Sequence, residues 1–203
     1  MQFNGAPTSP FTAVPGWESL PEQETLLAHA ALVPETGTIV EIGAEFGMSA
    51  SLFCKAARPG VQIYSIDLFP DDLMYVHQAN LQAAKLAGRS KQIKGDSALV
   101  GRAWQLGMID LLFIDGDHTY EGVARDIAAW IPRVKLGGTV IFHDAAPPTN
   151  HNPHYLHHEV QRAIDEWYAR SKASTNPNDW FEEQSSVDTM RIFSRAYAVK
   201  ESQ

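Results

Sequence analysis

The feature of this sequence that most constrains its fold is an alternation. Short runs of β-branched and other apolar residues, each closed by a glycine or a carboxylate, take turns with stretches of helical spacing. The strand-like runs cover residues 38–42, 62–66, 91–94, 109–114 and 139–142. Helical patterns fill 48–57, 72–87, 98–105 and 120–134, with Gly137-Gly138 ending the last connection. Runs that are apolar on both faces suit buried parallel strands, and parallel neighbours need helical crossovers of this length. Such crossovers are right-handed, so the class expected is α/β with a doubly wound sheet.

The flanks complete the sheet. Leu26, Leu27, Ala30 and Ala31 share a helical spacing within 21–33, and Pro34 and Gly37 stop that helix. Val160, Ile164, Trp167 and Tyr168 mark an amphipathic helix over 157–170. Runs at 180–183 and 189–193 read as a hairpin closing the sheet edge. The expectation is a Rossmann-like sheet, mostly parallel with a C-terminal antiparallel hairpin. Residues 1–20, rich in Pro, Gly, Thr and Ser, read as a loosely held arm anchored by Phe11 and Trp17, or as an oligomer contact in a homodimer. Residues 21–203 read as one domain, a length at which a single core suffices.

Charge narrows the partners. Sixteen basic residues stand against 24 acidic ones, a net charge of −8, and no basic run interrupts the chain. A phosphate backbone or an anionic membrane surface would find no electrostatic footprint here. The single cysteine, Cys54, lies in an apolar Ser-Leu-Phe-Cys run and reads as a small buried hydrophobe rather than a nucleophile. With neither a secretory leader pattern nor a membrane-length apolar stretch, a cytoplasmic setting is expected.

The acidic residues fall where chemistry is to be expected. The first strand leads into Glu41-Ile-Gly-Ala-Glu45, and the later strands end at Asp67, Asp96, Asp115 and Asp144. Ligands of an open α/β sheet bind outside the carboxyl ends of its strands. Each Asp taken singly is also an ordinary helix N-cap. Together they crowd one crevice, and crowded carboxylates require cations or hydroxyls to offset their repulsion and lost hydration.

The turn after the first strand discriminates among ligands. Gly43 and Gly47, four apart, permit a tight turn with close backbone approach, and Ser49 or Ser51 can cap the next helix or meet a ligand carboxylate. A dinucleotide fingerprint needs glycine two residues after the first, and Glu45 stands there, where it would repel a pyrophosphate. The Gly-Lys-Ser/Thr ending of a nucleoside-triphosphate loop is absent as well. Asp67, one βα unit on, is placed for two hydrogen bonds to a ribose. Gly95-Asp96-Ser97 can hold an adenine amino group or cap a helix.

In order, E-x-G-x-x-x-G at 41–47, Asp67, Gly95-Asp96-Ser97, Phe113-Ile-Asp-Gly-Asp-His118 and Gly137-Gly138 followed by His143-Asp144 resemble the motifs of class I S-adenosylmethionine (SAM)-dependent methyltransferases. The likeness spans roughly 20–195. It is narrower to the bacterial small-molecule branch, which shares features with caffeoyl-CoA, catechol and antibiotic-sugar O-methyltransferases. The resemblance implies SAM as cofactor, whose sulfonium, ammonium and ribose diol answer the carboxylates. Its cradle would be Glu41, Gly43, Ala44, Gly47, Ser49, Asp67, Leu68, Asp96, Ser97 and Asp115.

It further implies a divalent cation, Mg²⁺ or Mn²⁺, on Asp115 and Asp144. The third ligand falls on His143, where an acid is usual, or on Ala145, where Asn is usual and alanine offers no donor. His118, with Asp117 beside it, is the candidate base because imidazole titrates near neutrality. His151, His154, His157 and His158 read as a lid over the crevice, either solvated or touching substrate, and Tyr120, Trp104 and Trp130 as packing residues. The expected reaction is methyl transfer to a small-molecule hydroxyl. A metal-free methyltransferase, a nicotinamide oxidoreductase and a non-catalytic SAM-binding protein are the rivals.

Overall fold

The computed structural model describes residues 5–147 and 157–196. His151 and His154 of the expected lid lie outside them. The elements run α1 (Leu20–Leu32), β1 (Thr38–Ile42), α2 (Met48–Ala56), β2 (Gln62–Asp67), α3 (Leu73–Ala83), β3 (Ser90–Lys94), α4 (Ser97–Ala103), β4 (Ile109–Ile114), α5 (Tyr120–Trp130), β5 (Val134–Phe142), α6 (His158–Ala173), β6 (Phe181–Val187) and β7 (Met190–Arg195). The sheet has seven strands in the order β3-β2-β1-β4-β5-β7-β6. The first five are parallel, and β7 and β6 add antiparallel at one edge. The Rossmann-like sheet with its terminal hairpin is therefore the observed one.

Strand alternation sorts the core into two layers, since successive side chains of a strand face opposite ways. Ile39, Ile63, Leu111, Phe113 and Ile141 pack with Leu26 and Ala30 of α1 and Leu52 and Phe53 of α2. Val40, Ile66, Leu112, Ile114 and Phe142 pack with Ala98 of α4, Ile127 and Trp130 of α5, and Ile164 and Trp167 of α6. Trp104 and Trp130 are core residues, their ring centroids 5.2 Å apart.

Several boundaries differ from the sequence pattern. The third helix stops at Ala83, not 87, because Lys85 takes a left-handed φ of 61° and Leu86 N–H returns to the Leu81 carbonyl at 2.8 Å. That ending needs no glycine when the following apolar residue packs back, as Leu86 does. The fifth helix stops at Trp130, giving way at Pro132 to a 3-10 turn over Ile131–Arg133. Gly137 and Gly138 do not end a connection but lie inside β5, where the pairing with β4 slips between Ile109 and Leu111. Glycine inside a strand commonly marks such an irregularity. The last helix runs on to Ala173.

The described part of the N-terminal arm is packed rather than loose. Thr8 bridges Pro15, Ser9 Oγ donates to Gln23 Oε1 at 2.7 Å, and Lys55 Nζ donates to the Phe11 carbonyl at 2.7 Å. Val14, 1 % exposed, is its deepest anchor, with Phe11 packed beside it, whereas Trp17 remains half exposed.

Candidate active site

Between β1 and β4 the strand order reverses, with α2 following β1 on one face and α5 following β4 on the other. A crevice opens there at the carboxyl edge. It forms a cavity of ≈ 960 Å³. Gly43, Asp67, Leu68, Asp96, Ser97, Asp115, Asp117, His118, His143 and Asp144, all singled out from sequence, stand in its wall. Ala44, Gly47 and Ser49 border a smaller adjoining recess with Trp17 and Glu45.

Glu41 reaches neither space. It is fully buried on the α2 face, accepting from Ser49 Oγ at 2.6 Å and from Ser65 Oγ. Burial pushes its carboxyl up to about 8, with the two hydroxyls acting in the opposite direction. The structure thus makes Glu41 and Ser49 a buried pair beneath the turn rather than side chains aimed at a ligand in the cleft. Cys54 is also buried, its thiol pushed up to about 12 by burial.

The turn itself is built by glycine and held from two sides. Gly43 has φ +82°, and a Cβ there would lie 1.9 Å from the Asp115 backbone oxygen, so only glycine lets the ends of β1 and β4 approach this closely. Asp67 accepts the amides of Ala44 and Glu45 on Oδ2, each at 3.0 Å, and of Phe69 on Oδ1 at 2.6 Å. A carboxylate has about four acceptor sites. Three serve the backbone, so one on Oδ1 remains for a ribose hydroxyl where two contacts were expected.

From α3, His77 Nδ1 meets the Glu45 carbonyl at 3.3 Å and Asn80 donates to the Phe46 carbonyl at 2.9 Å. Neither was legible as a site residue. The only signal is a pair of polar residues three apart on a helix, a spacing common on solvated faces.

Two hydrogen-bonded groups face the cavity. In one, Asp96 caps α4 through Leu99 N–H at 2.9 Å and accepts Arg125 Nη2 at 2.7 Å, while Ser97 Oγ donates to Asp126. The capping alternative for Asp96 is thus realised. Burial raises the Asp126 carboxyl to about 6. Asp117, beyond β4, accepts Thr119 N–H at 2.9 Å and so is tied into the turn before α5.

The other group gathers Asp115, His118, His143, Asp144 and His157. His118 Nε2 lies 3.0 Å from Asp144 Oδ2 and 3.6 Å from Asp115 Oδ1, and His157 Nε2 lies 3.3 Å from Asp144 Oδ2. The rings of His118 and His157 stack with centroids 4.5 Å apart. Asp144 has a left-handed φ of 52°, a conformation Asp tolerates better than most residues. The carboxylates of Asp115 and Asp144 beside its Nε2 raise His118 to about 10. Burial alone would raise Asp115, but His143 and His118 outweigh it and hold the carboxyl at about 2.

His143 Nδ1 lies 3.1 Å from Asp115 Oδ1 and 3.7 Å from Asp144 Oδ2. Donors at right angles, each about 2.1 Å from one cation, lie about 3 Å from one another. With one pair at that spacing, another at 3.7 Å and all three donor atoms within 4.8 Å of one another, Asp115, His143 and Asp144 could hold a divalent ion. Of the two positions open for a third ligand, His143 faces the pair, while Ala145 is buried with its N–H bonded to the Thr189 carbonyl at 2.8 Å.

Three participants carried no sequence signal as site residues, Trp17 being marked only as an anchor of the arm. Glu22, in the first turn of α1, meets His143 Nε2 at 3.3 Å. Burial would raise its carboxyl, but the His143 hydrogen bond and charge outweigh it and lower the group to about 2. Glu18 is buried beneath, raised to about 7 first by burial and then by Asp115. Trp17, from the arm, lines the cavity, as does Glu45.

Residues 40–145, just over half of the chain, match the profile of a family described as a methyltransferase domain. A putative O-methyltransferase of Mycobacterium sp. (strain JLS) is 26% identical over 126 residues, covering 62% of this chain and 56% of the relative. An uncharacterized protein of Sinorhizobium fredii is 27% identical over 116 residues, covering 52% of this chain but 13% of that protein. The chain thus matches only part of these relatives' length. Among solved structures, cofactor-bound Rv0187 from MTB superposes with a TM-score of 0.71 at 18% identity, covering 92% of this chain and 85% of that one. The Bacillus cereus O-methyltransferase in complex with SAH gives 0.65 at 15% identity, covering 87% and 82%. At these identities the structural likeness concerns the fold, and the profile match carries the family. The chain belongs to the methyltransferase-domain family.

Proposed function

We propose that this protein transfers the methyl group of SAM to a hydroxyl of a small molecule, with a divalent cation on Asp115, His143 and Asp144. The observation that carries the reading is one cavity in which the glycine turn held by Asp67 meets the Asp115–His118–His143–Asp144 cluster. The SAH complex of the Bacillus cereus O-methyltransferase, on a similar fold, supports the choice of cofactor.

SAM carries an already activated methyl group, so this chain's task is alignment and exclusion of water. Gly43 brings the turn against the end of β4, and Asp67 holds the turn amides and offers its remaining acceptor site to the ribose. A cation on Asp115, His143 and Asp144 would lower the acceptor hydroxyl's pKa. His118 receives the acceptor's proton at Nε2. While Asp115 and Asp144 hold it charged it cannot do so, and its role as base requires those carboxylates to be otherwise occupied. Asp117 is tied into the turn through Thr119 N–H and is the alternative proton acceptor.

Labelled-methyl transfer tests the reaction. Chelator, or Asp144→Ala, is expected to abolish transfer while SAH binding persists. Full transfer by exhaustively chelated protein would support the metal-free reading instead. That second reading has one observation in its favour: His118 and His143 already face Asp115 and Asp144 as counter-charges.

A further inference from the structure

We infer that Glu22 is a positioning residue that fixes His143 as a nitrogen ligand and so biases the site toward a transition-metal ion over Mg²⁺. The inference rests on the cation reading above. It comes from the hydrogen bonding around Glu22. Its Oε1 accepts Thr189 N–H at 3.0 Å and Thr189 Oγ1–H at 2.6 Å, and its Oε2 accepts Ser19 N–H at 2.8 Å and faces His143 Nε2 at 3.3 Å. With about four acceptor sites to a carboxylate, three are filled by donors of α1 and of the β6–β7 turn, and the fourth by His143.

Both residues are buried, at 2% and 7% exposure, so water does not compete for that bond. Glu22 can only accept, which makes Nε2 the protonated nitrogen. With a cation bound, the imidazole would be neutral and its lone pair would lie on Nδ1, in place of the proton that Nδ1 otherwise presents to Asp115 and Asp144. A carboxylate accepting the far N–H of a histidine is the usual support of a metal-bound imidazole: it fixes the tautomer and raises ligand basicity. An imidazole in the set favours Mn²⁺, Fe²⁺, Co²⁺ or Zn²⁺, because Mg²⁺ prefers oxygen. The arrangement reaches across the fold, from the first turn of α1 to the end of β5.

A purely structural pair tying α1 to β5 would show the same distances, so the test reads the ligand atom. Titration calorimetry with Mn²⁺ alone, and ¹⁴N coupling in pulsed electron paramagnetic resonance of the Mn²⁺-loaded protein, are compared for the native chain, Glu22→Gln and His143→Ala. The native protein is expected to show the nitrogen coupling. His143→Ala is expected to lose it, and Glu22→Gln to weaken or lose it with affinity falling about 10–100-fold. Thermal unfolding of each variant without metal controls for folding, and Glu22→Asp, which retains the charge, is expected to recover part of the affinity. Coupling and affinity unchanged in Glu22→Gln would overturn the role of Glu22 while leaving the cation in place. If the native chain takes up no Mn²⁺, the cation reading itself fails, and this inference with it.

Discussion

Removing the Asp67 carboxylate separates two jobs that the structure assigns to one side chain. In Asp67→Ala the amides of Ala44, Glu45 and Phe69 lose their acceptor, and a bound ligand loses a ribose contact. SAH at a hundredfold excess over its Kd stabilises the native protein by about 2.7 kcal/mol. For a chain of this size that raises the melting midpoint by roughly 5–10 °C. One hydrogen bond to a charged acceptor contributes about 1.5–3 kcal/mol, so its loss weakens binding about 10–150-fold. The same SAH concentration would then supply only about 0.3–1.4 kcal/mol.

The expected result is a shift cut to a fraction of the native one, on a variant whose midpoint without ligand is also lower because the turn has lost its acceptor. Differential scanning fluorimetry with SAM, SAH and NADH reads both effects, each variant being compared with its own ligand-free midpoint. NADH is expected to give no shift, since Glu45 stands in the wall where a pyrophosphate would lie. An SAH shift in Asp67→Ala equal to that of the native protein would refute the placement of the cofactor.

Gly43→Ala should destabilise the fold by more than the roughly 1–2 kcal/mol of a left-handed alanine, because its Cβ also meets the Asp115 backbone; an unchanged urea midpoint would contradict this. Glu41 is raised from an ordinary 4.5 to about 8, so its contribution is fully present below about 4.5 and is lost as pH rises through about 8. Glu41→Gln should therefore gain stability relative to the native chain across that window, and parallel melting curves from acid to alkaline pH would count against it. His118→Ala should flatten the rise of turnover with pH, whereas an unchanged profile would shift the proton acceptor to Asp117 or to solvent.

Much of this protein was written in local pattern. Period and run length specify strand or helix without knowledge of partners, which is why all five parallel strands and the Gly43–Gly47 turn were legible. The strand-end carboxylates followed, because a parallel sheet sends all its carboxyl ends to one edge. Tertiary structure decided what each side chain faces. Glu41 precedes the glycine turn as a ligand-facing residue would, yet the alternation of β1 turns it toward Ser49 and Ser65. Asp67 sits where a ribose partner belongs, yet it spends most of its acceptor capacity on the turn. Glu22, Glu18 and Trp17 lie nearly a hundred positions or more before Asp115 and His143, and nothing local marks them as site residues, because their meeting depends on how α1 docks against the sheet. A sequence carries its periodicities in every window, but contacts across such distances exist only once the layers have packed.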